Sequence, residues 1–165
     1  MLTINPIATE ADHADAVELV REMAEWAISL SPDTSDAPAF DTLEKETADL
    51  SAVYVPPKGC FLLAREDGEP VGCVALADRG NDVVEVKRMY MRPSQRGKGT
   101  GYKLTEALVS HARDNGAKRI ILDSYHMMTS AHKIYRAIGF KDISAPEGFP
   151  EAFVDRVVFM EMHID

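Results

Sequence analysis

Three glycines at alternate positions, Gly97, Gly99 and Gly101, sit where a strand-like run gives way to a helix-like one, and no other feature constrains this chain as strongly. Residues 83–91 read as a strand that runs directly into Arg92-Pro93-Ser94-Gln95-Arg96-Gly97-Lys98-Gly99-Thr100-Gly101. Beyond the glycines, Leu104, Ala107, Leu108 and His111 recur on one helical face, and Asn115-Gly116 suits a left-handed helix end. A glycine turn feeding a helix gathers unpaired backbone N–H groups and the positive end of the helix dipole at one point, which is an anion site. Two nucleotide motifs fail on spacing. Counted from Gly97, the second glycine of a Walker A loop would be Tyr102, and counted from Gly99, the last glycine of a dinucleotide fingerprint would be Leu104.

The order of elements around this unit sets the fold class. Residues 2–7 suit a short strand, and after Thr9, a plausible N-cap, Ala16, Leu19, Val20, Met23 and Ala27 recur at helical spacing. Residues 31–39 are a turn-rich break with two prolines, and residues 40–53 hold room for a second short helix that Pro56 and Pro57 end. Residues 60–64 and 71–77 are apolar runs joined through Asp67-Gly68, a hairpin signal, and their near-continuous apolar character predicts strands covered on both faces. A buried strand at 119–123, a helix from Thr129 with Ile134, Tyr135 and Ile138 inward and Gly139 as its cap, and final strands at 140–143 and 156–164 complete the pattern. The prediction is one α/β domain over 1–165, a mixed, mostly antiparallel central sheet with helices on both faces.

Charge narrows the partners. The net charge of −9 argues against duplex nucleic acid, and no apolar run suits a membrane span or signal peptide, so a cytoplasmic location is expected. Yet residues 86–105 carry Lys87, Arg88, Arg92, Arg96, Lys98 and Lys103 without one acid, as an anion-binding segment would. Residues 1–55 hold twelve acids against Arg21 and Lys45. Cys60 and Cys73 lack zinc or redox spacing and read as buried thiols; the five histidines show no metal spacing either. No nucleophile elbow surrounds Ser124.

Arg96-x-x-Gly99-x-Gly101 resembles the [QR]-x-x-G-x-[GA] signature of the GCN5-related N-acetyltransferases, and Ala131-x-x-Ile134-Tyr135-x-x-x-Gly139-Phe140 resembles the family's A-x-x-L-Y-x-x-x-G-F helix end. Both occur in the family's order, and the detailed likeness covers about residues 83–140. One departure stands out: where the family often has Asn three residues before the helix alanine, this chain has Met128.

The resemblance implies acetyl transfer from acetyl-coenzyme A, used as a donor cosubstrate without metal, to a primary amine of a small molecule or peptide by direct attack. It implies that Arg96, Gly97, Lys98, Gly99, Thr100 and Gly101 wrap the pyrophosphate. Backbone groups along Met89, Tyr90 and Met91 would hold the pantetheine arm and thioester. Tyr135 matches the tyrosine that protonates the departing thiolate, and Glu85 has the spacing of the glutamate some relatives use as general base, with an ion pair to Lys87 or Arg88 as its structural alternative. His126 and His132 stand beside the expected site. The acidic segment 12–49, with Trp26 and Phe40, leads to the expectation of a cationic acceptor, against the alternative of solvated helix faces. An acyl-coenzyme A sensor without turnover is the competing class, and a homodimer is left open.

Overall fold

A computed structural model describes residues 1–32 and 42–165. Seven strands form one sheet: β1 (Leu2–Pro6), β2 (Cys60–Glu66), β3 (Glu69–Asp78), β4 (Val83–Met91), β5 (Arg119–Tyr125), β6 (Lys141–Ile143) and β7 (Val157–His163), in the order β1-β2-β3-β4-β5-β7-β6. Neighbours are antiparallel except β4 and β5, which run parallel. Among the described residues six α-helices accompany them: α1 (Glu10–Leu30), α2 (Leu43–Ala48), α3 (Leu50–Val53), α4 (Thr100–Asp114), α5 (Thr129–Ile138) and α6 (Glu151–Val154). The predicted mixed, mostly antiparallel sheet is what forms. The break expected over 31–39 and the start of the helix expected over 40–53 fall largely at 33–41, outside the described residues, and the rest of that helix is two pieces, α2 and α3. The short α6 follows the predicted loop over 144–150, at residues to which the sequence assigns no element.

Successive strand residues face opposite sides, and β3 shows both sides filled. Val74 and Leu76 join a cluster with Leu104, Leu108, Tyr135 and Met160, while Cys73, Ala75 and Ala77 join another with Leu19, Val20, Leu50 and Phe61. Helices α4 and α5 therefore cover one face and α1 to α3 the other, which is why β2 and β3 are apolar at nearly every position. Each fully buried leucine, such as Leu104 or Leu108, contributes about 2 kcal/mol of transfer free energy. The hairpin between β2 and β3 turns through Asp67 at φ 50° and Gly68 at φ 90°, the left-handed pair that Asp-Gly supplies. Thr9 and Asp12 form a reciprocal capping box at the start of α1. Both thiols are buried, and desolvation pushes each up to about 12, so neither cysteine is a nucleophile at neutral pH.

Two local irregularities place the site. The β3–β4 ladder pairs Cys73 with Tyr90 but Ala75 with Lys87, so β4 carries an extra residue, and Arg88 takes a positive φ of 57° there. On its other edge, β4 pairs with β5 only from Val83 to Glu85, against Arg119 to Ile121. Beyond that point the strands part. β5 stays paired to β7 through Tyr125, so the opening lies between β4 and β5 alone.

Candidate active site

The gap between the parted strands is a cavity of about 720 Å3, within the range of small-molecule sites. One wall is β4 from Val86 to Met91, the other is β5 from Leu122 to Tyr125; the glycine turn, one side of α5, Met23, Trp26 and Ala27 of α1, and Phe149, Phe153 and Val157 enclose the rest. Because the facing strand edges have no ladder partner across the cavity, their peptide groups are available to an extended ligand that lies between them like a strand.

At one end stands the start of α4. Gly99 is its N-cap in the left-handed conformation, at φ 83°, which glycine adopts without strain. The first intrahelical bond runs from Lys103 N–H to the Gly99 carbonyl, leaving the preceding N–H groups of the helix without an intrahelical partner. A Cβ on Gly101 would come within 3.0 Å of Ile134 Cδ1, so glycine there lets α4 close on α5. Of the turn residues singled out from sequence, Arg96, Gly97, Gly99 and Gly101 line the cavity, as do Met89, Tyr90 and Met91. Lys98 and Thr100 are not among the lining residues. Thr100 is buried and its hydroxyl bonds Gln95 Oε1 at 3.1 Å, so its side chain braces the turn from within. Arg96 folds back over the Trp26 ring, 4.5 Å from its centroid, and its Nε donates to the Met91 carbonyl at 3.2 Å.

Tyr135 reaches the cavity from α5. It is 3% exposed, packs against Phe140 at 5.6 Å, and burial raises its phenol, which keeps the proton on oxygen at neutral pH. Glu85 is elsewhere: its carboxylate lies between Arg79 Nε at 3.1 Å and Lys87 Nζ at 3.7 Å, and it is not a lining residue. The carboxylate that does line the cavity is Asp123. It is exposed. Its surroundings disfavour the ion, first by excluding water from part of the group and then through the negative charge of Glu85, so its pKa is raised. From sequence, Asp123 is only the end of an apolar strand. The signal that could have found it is its place just past the point where β5 loses its partner. His132 is buried and bonds Ser124 Oγ at 3.0 Å, with burial lowering its pKa; it is a core residue. His126 is exposed. Met128, in the position of the expected Asn, lines the cavity and bonds Tyr125 through its own N–H. Among the described residues no cluster of acids, histidines or cysteines could hold a metal ion, and no helix is long and apolar enough to cross a membrane.

Among the described residues, the acids expected to face an acceptor do not line the cavity. Asp12 and Asp15 pair with Arg65, Glu18 and Glu22 with Arg92, and buried Glu46 with Arg88, and none of these five lines the wall. Asp33, Asp36, Asp41 and Phe40 lie outside the described residues.

Comparison with known proteins agrees with this architecture. The model of the acetyltransferase (GNAT) family matches residues 17–140. An uncharacterized N-acetyltransferase of Schizosaccharomyces pombe is 28% identical over 166 residues, 99% of this chain and 95% of that protein. An N-acetylaspartate synthetase of Danio rerio is 33% identical over 109 residues, 65% of this chain, but the match spans only 39% of that longer protein. Among solved structures, a putative acyl-CoA N-acyltransferase from Klebsiella pneumoniae superposes with a TM-score of 0.76 at 28% identity, covering 100% of this chain and 99% of the other.

Proposed function

The chain belongs to the acetyltransferase (GNAT) family, and from that premise we propose that it carries acetyl from acetyl-coenzyme A to the primary amine of a small molecule by direct attack, with Asp123 as base and Tyr135 as acid. The observation that carries this reading is the parting of β4 from β5 with the α4 N-terminus at one end and Asp123 and Tyr135 on the walls. The donor fits what is there. Its pyrophosphate suits the free N–H groups of the turn, where Arg96 adds a cation, and its amide-bearing arm suits the edge of Met89 to Met91.

Asp123 and Tyr135 lie on opposite faces of the sheet. Asp123 is two residues past Ile121, on the same side as Glu85, whereas Tyr135 belongs to the cluster with Leu104 and Leu108. An amine entering beside Asp123 loses a proton to that carboxylate as its nitrogen attacks the thioester carbon. Backbone donors of the β4 edge stabilise the oxyanion, the C–S bond breaks, and the sulfur takes the Tyr135 proton. Asp123 is the better base than Glu85 because Glu85 already neutralises two cations, while no side chain ion-pairs with Asp123 among the described residues.

Release of free thiol from acetyl-coenzyme A over a panel of amines, with the acetylated product identified by mass, tests the reading. Acetyl-coenzyme A bound with no thiol release for any amine would instead support the acyl-coenzyme A sensor.

A further inference from the structure

The acceptor side of the cavity has a chemistry of its own, and an inference about it rests on the acetyltransferase reading above. In the antiparallel β5–β7 ladder Asp123 is directly opposite Phe159, and Tyr125 opposite Val157, so each pair points to the same side of the sheet. Phe149 meets Phe159 edge to face, with centroids 4.8 Å apart and planes at 86°, which sets it over the face that carries Asp123. Phe149 and Phe153 both line the cavity together with Val157 and, from α1, Met23. Aromatic and aliphatic side chains thus share the wall with one carboxylate, and the cations Lys87, Arg88, Arg96 and Lys133 line other parts of the same cavity.

That carboxylate is the sole acidic residue on the wall among the described residues. The acids of α1 and α2 nearest the sheet are held by Arg65, Arg92 and Arg88. A polyamine brings a second ammonium that would have to leave water with no further carboxylate on the wall among the described residues to meet it, while Lys87 sets a positive charge against it. An apolar group loses nothing by entering and removes its surface from water.

We propose that the acceptor is a small monoamine on an apolar or aromatic body, its amine at Asp123 and its body against Phe149, Phe153 and Val157. The class follows from one carboxylate with apolar side chains beside it, and it differs from the cationic acceptor expected from the acidic segment.

The test uses the full chain at saturating acetyl-coenzyme A, comparing kcat/KM for 2-phenylethylamine, methylamine, spermidine and aspartate. The expectation is that 2-phenylethylamine exceeds each of the others by about tenfold or more, the discrimination an apolar pocket gives for added apolar bulk. Phe153→Ala is expected to lower the ratio of 2-phenylethylamine to methylamine by about tenfold, chiefly through KM for the larger amine. Calorimetric binding of acetyl-coenzyme A by the variant shows that it is folded. Spermidine or aspartate matching or exceeding 2-phenylethylamine, or a ratio untouched in folded Phe153→Ala, overturns the inference while leaving acetyl transfer standing. Thiol release with none of the amines, despite bound acetyl-coenzyme A, overturns both together.

Discussion

Asp123 and Glu85 share one face of the sheet on neighbouring strands, yet their surroundings give them different chemistry. Two cations hold Glu85, whereas partial enclosure and the nearby Glu85 charge raise the pKa of Asp123, which makes it the more basic of the two carboxylates. Asp123→Asn should therefore lower kcat/KM by about 10²-fold or more near neutral pH. The loss should shrink as pH rises, because alkaline solution supplies more neutral amine without a base; a loss equal at all pH would mean a positioning role. Glu85→Gln should cost far less. Tyr135→Phe keeps the ring against Phe140 and removes the proton donor, so kcat should fall by about 10²-fold with acetyl-coenzyme A affinity preserved in calorimetry. The place of Tyr135 on the cavity wall could be read from the sequence because its helix motif fixes its register against the glycine turn. The place of Asp123 could not: it depends on where β5 loses its partner, and on Arg79, beyond β3, reaching Glu85 while no side chain ion-pairs with Asp123 among the described residues.

Elements were more legible than their roles, because periodicity reports which side of a helix avoids water and says nothing of whether that side meets core or cavity. Strand β4 and the closing residues of α4 and α5 match what the sequence predicts. In α5, however, the buried residues are His132 and Tyr135, while Ile134, read as core, lines the cavity. His111, placed on the inward face of α4, instead bonds the Pro57 carbonyl at 2.8 Å. The glycine turn gives a prediction at this scale. Gly99→Asp puts a side chain at φ 83° and a negative charge beside the anion site, so acetyl-coenzyme A affinity should fall by well over tenfold, and by more than in Gly99→Ala, which keeps the strain without the charge. Equal losses would assign the effect to backbone strain alone. The start of α1 gives another. Backbone N–H donors of Ala8, the Arg65 guanidinium and the Thr9 N–H hold Asp12 down to about 2, a depressed carboxylate whose stabilisation is present above its unfolded value near 4 and lost as pH falls toward 2. Asp12→Asn should cost about 1 kcal/mol at pH 7, and urea midpoints of variant and parent should converge below pH 3.

Across the whole molecule, three arginines on or beside the sheet pair with five acids of the acid-rich first third: Arg65 of β2, Arg88 of β4, and Arg92 immediately beyond β4 reach back to α1 and α2. Composition shows the imbalance between the two segments but not that they answer each other, since the pairing needs the sheet to bring residues 42 to 74 apart in sequence together. The Arg88 pair is the one that is fully enclosed. Both side chains are 4% exposed, Nη2 and Nε of Arg88 donate to Glu46 at 2.6 and 3.0 Å, and the Tyr54 hydroxyl also donates to Glu46. Burial by itself would raise Glu46, but the guanidinium and the Tyr54 hydroxyl outweigh it and hold the carboxyl below its ordinary value. Since Arg88 is the positive-φ residue of the bulge, this pair ties α2 to the place where β4 begins to leave β5. Glu46→Gln would leave a buried guanidinium facing a neutral amide, and should destabilise the protein by about 3 kcal/mol in urea unfolding at pH 7. The sign with pH follows from the lowered carboxyl: the parent's advantage is complete above the unfolded glutamate value of about 4 and declines as pH falls through the native value below it. Replacing both residues, as Glu46→Leu with Arg88→Met, removes charge and counter-charge together and should recover most of the lost stability. If the double variant is as unstable as Glu46→Gln, the bulge depends on Arg88 for more than charge balance, and the cavity between β4 and β5 should then lose affinity for acetyl-coenzyme A in the same protein.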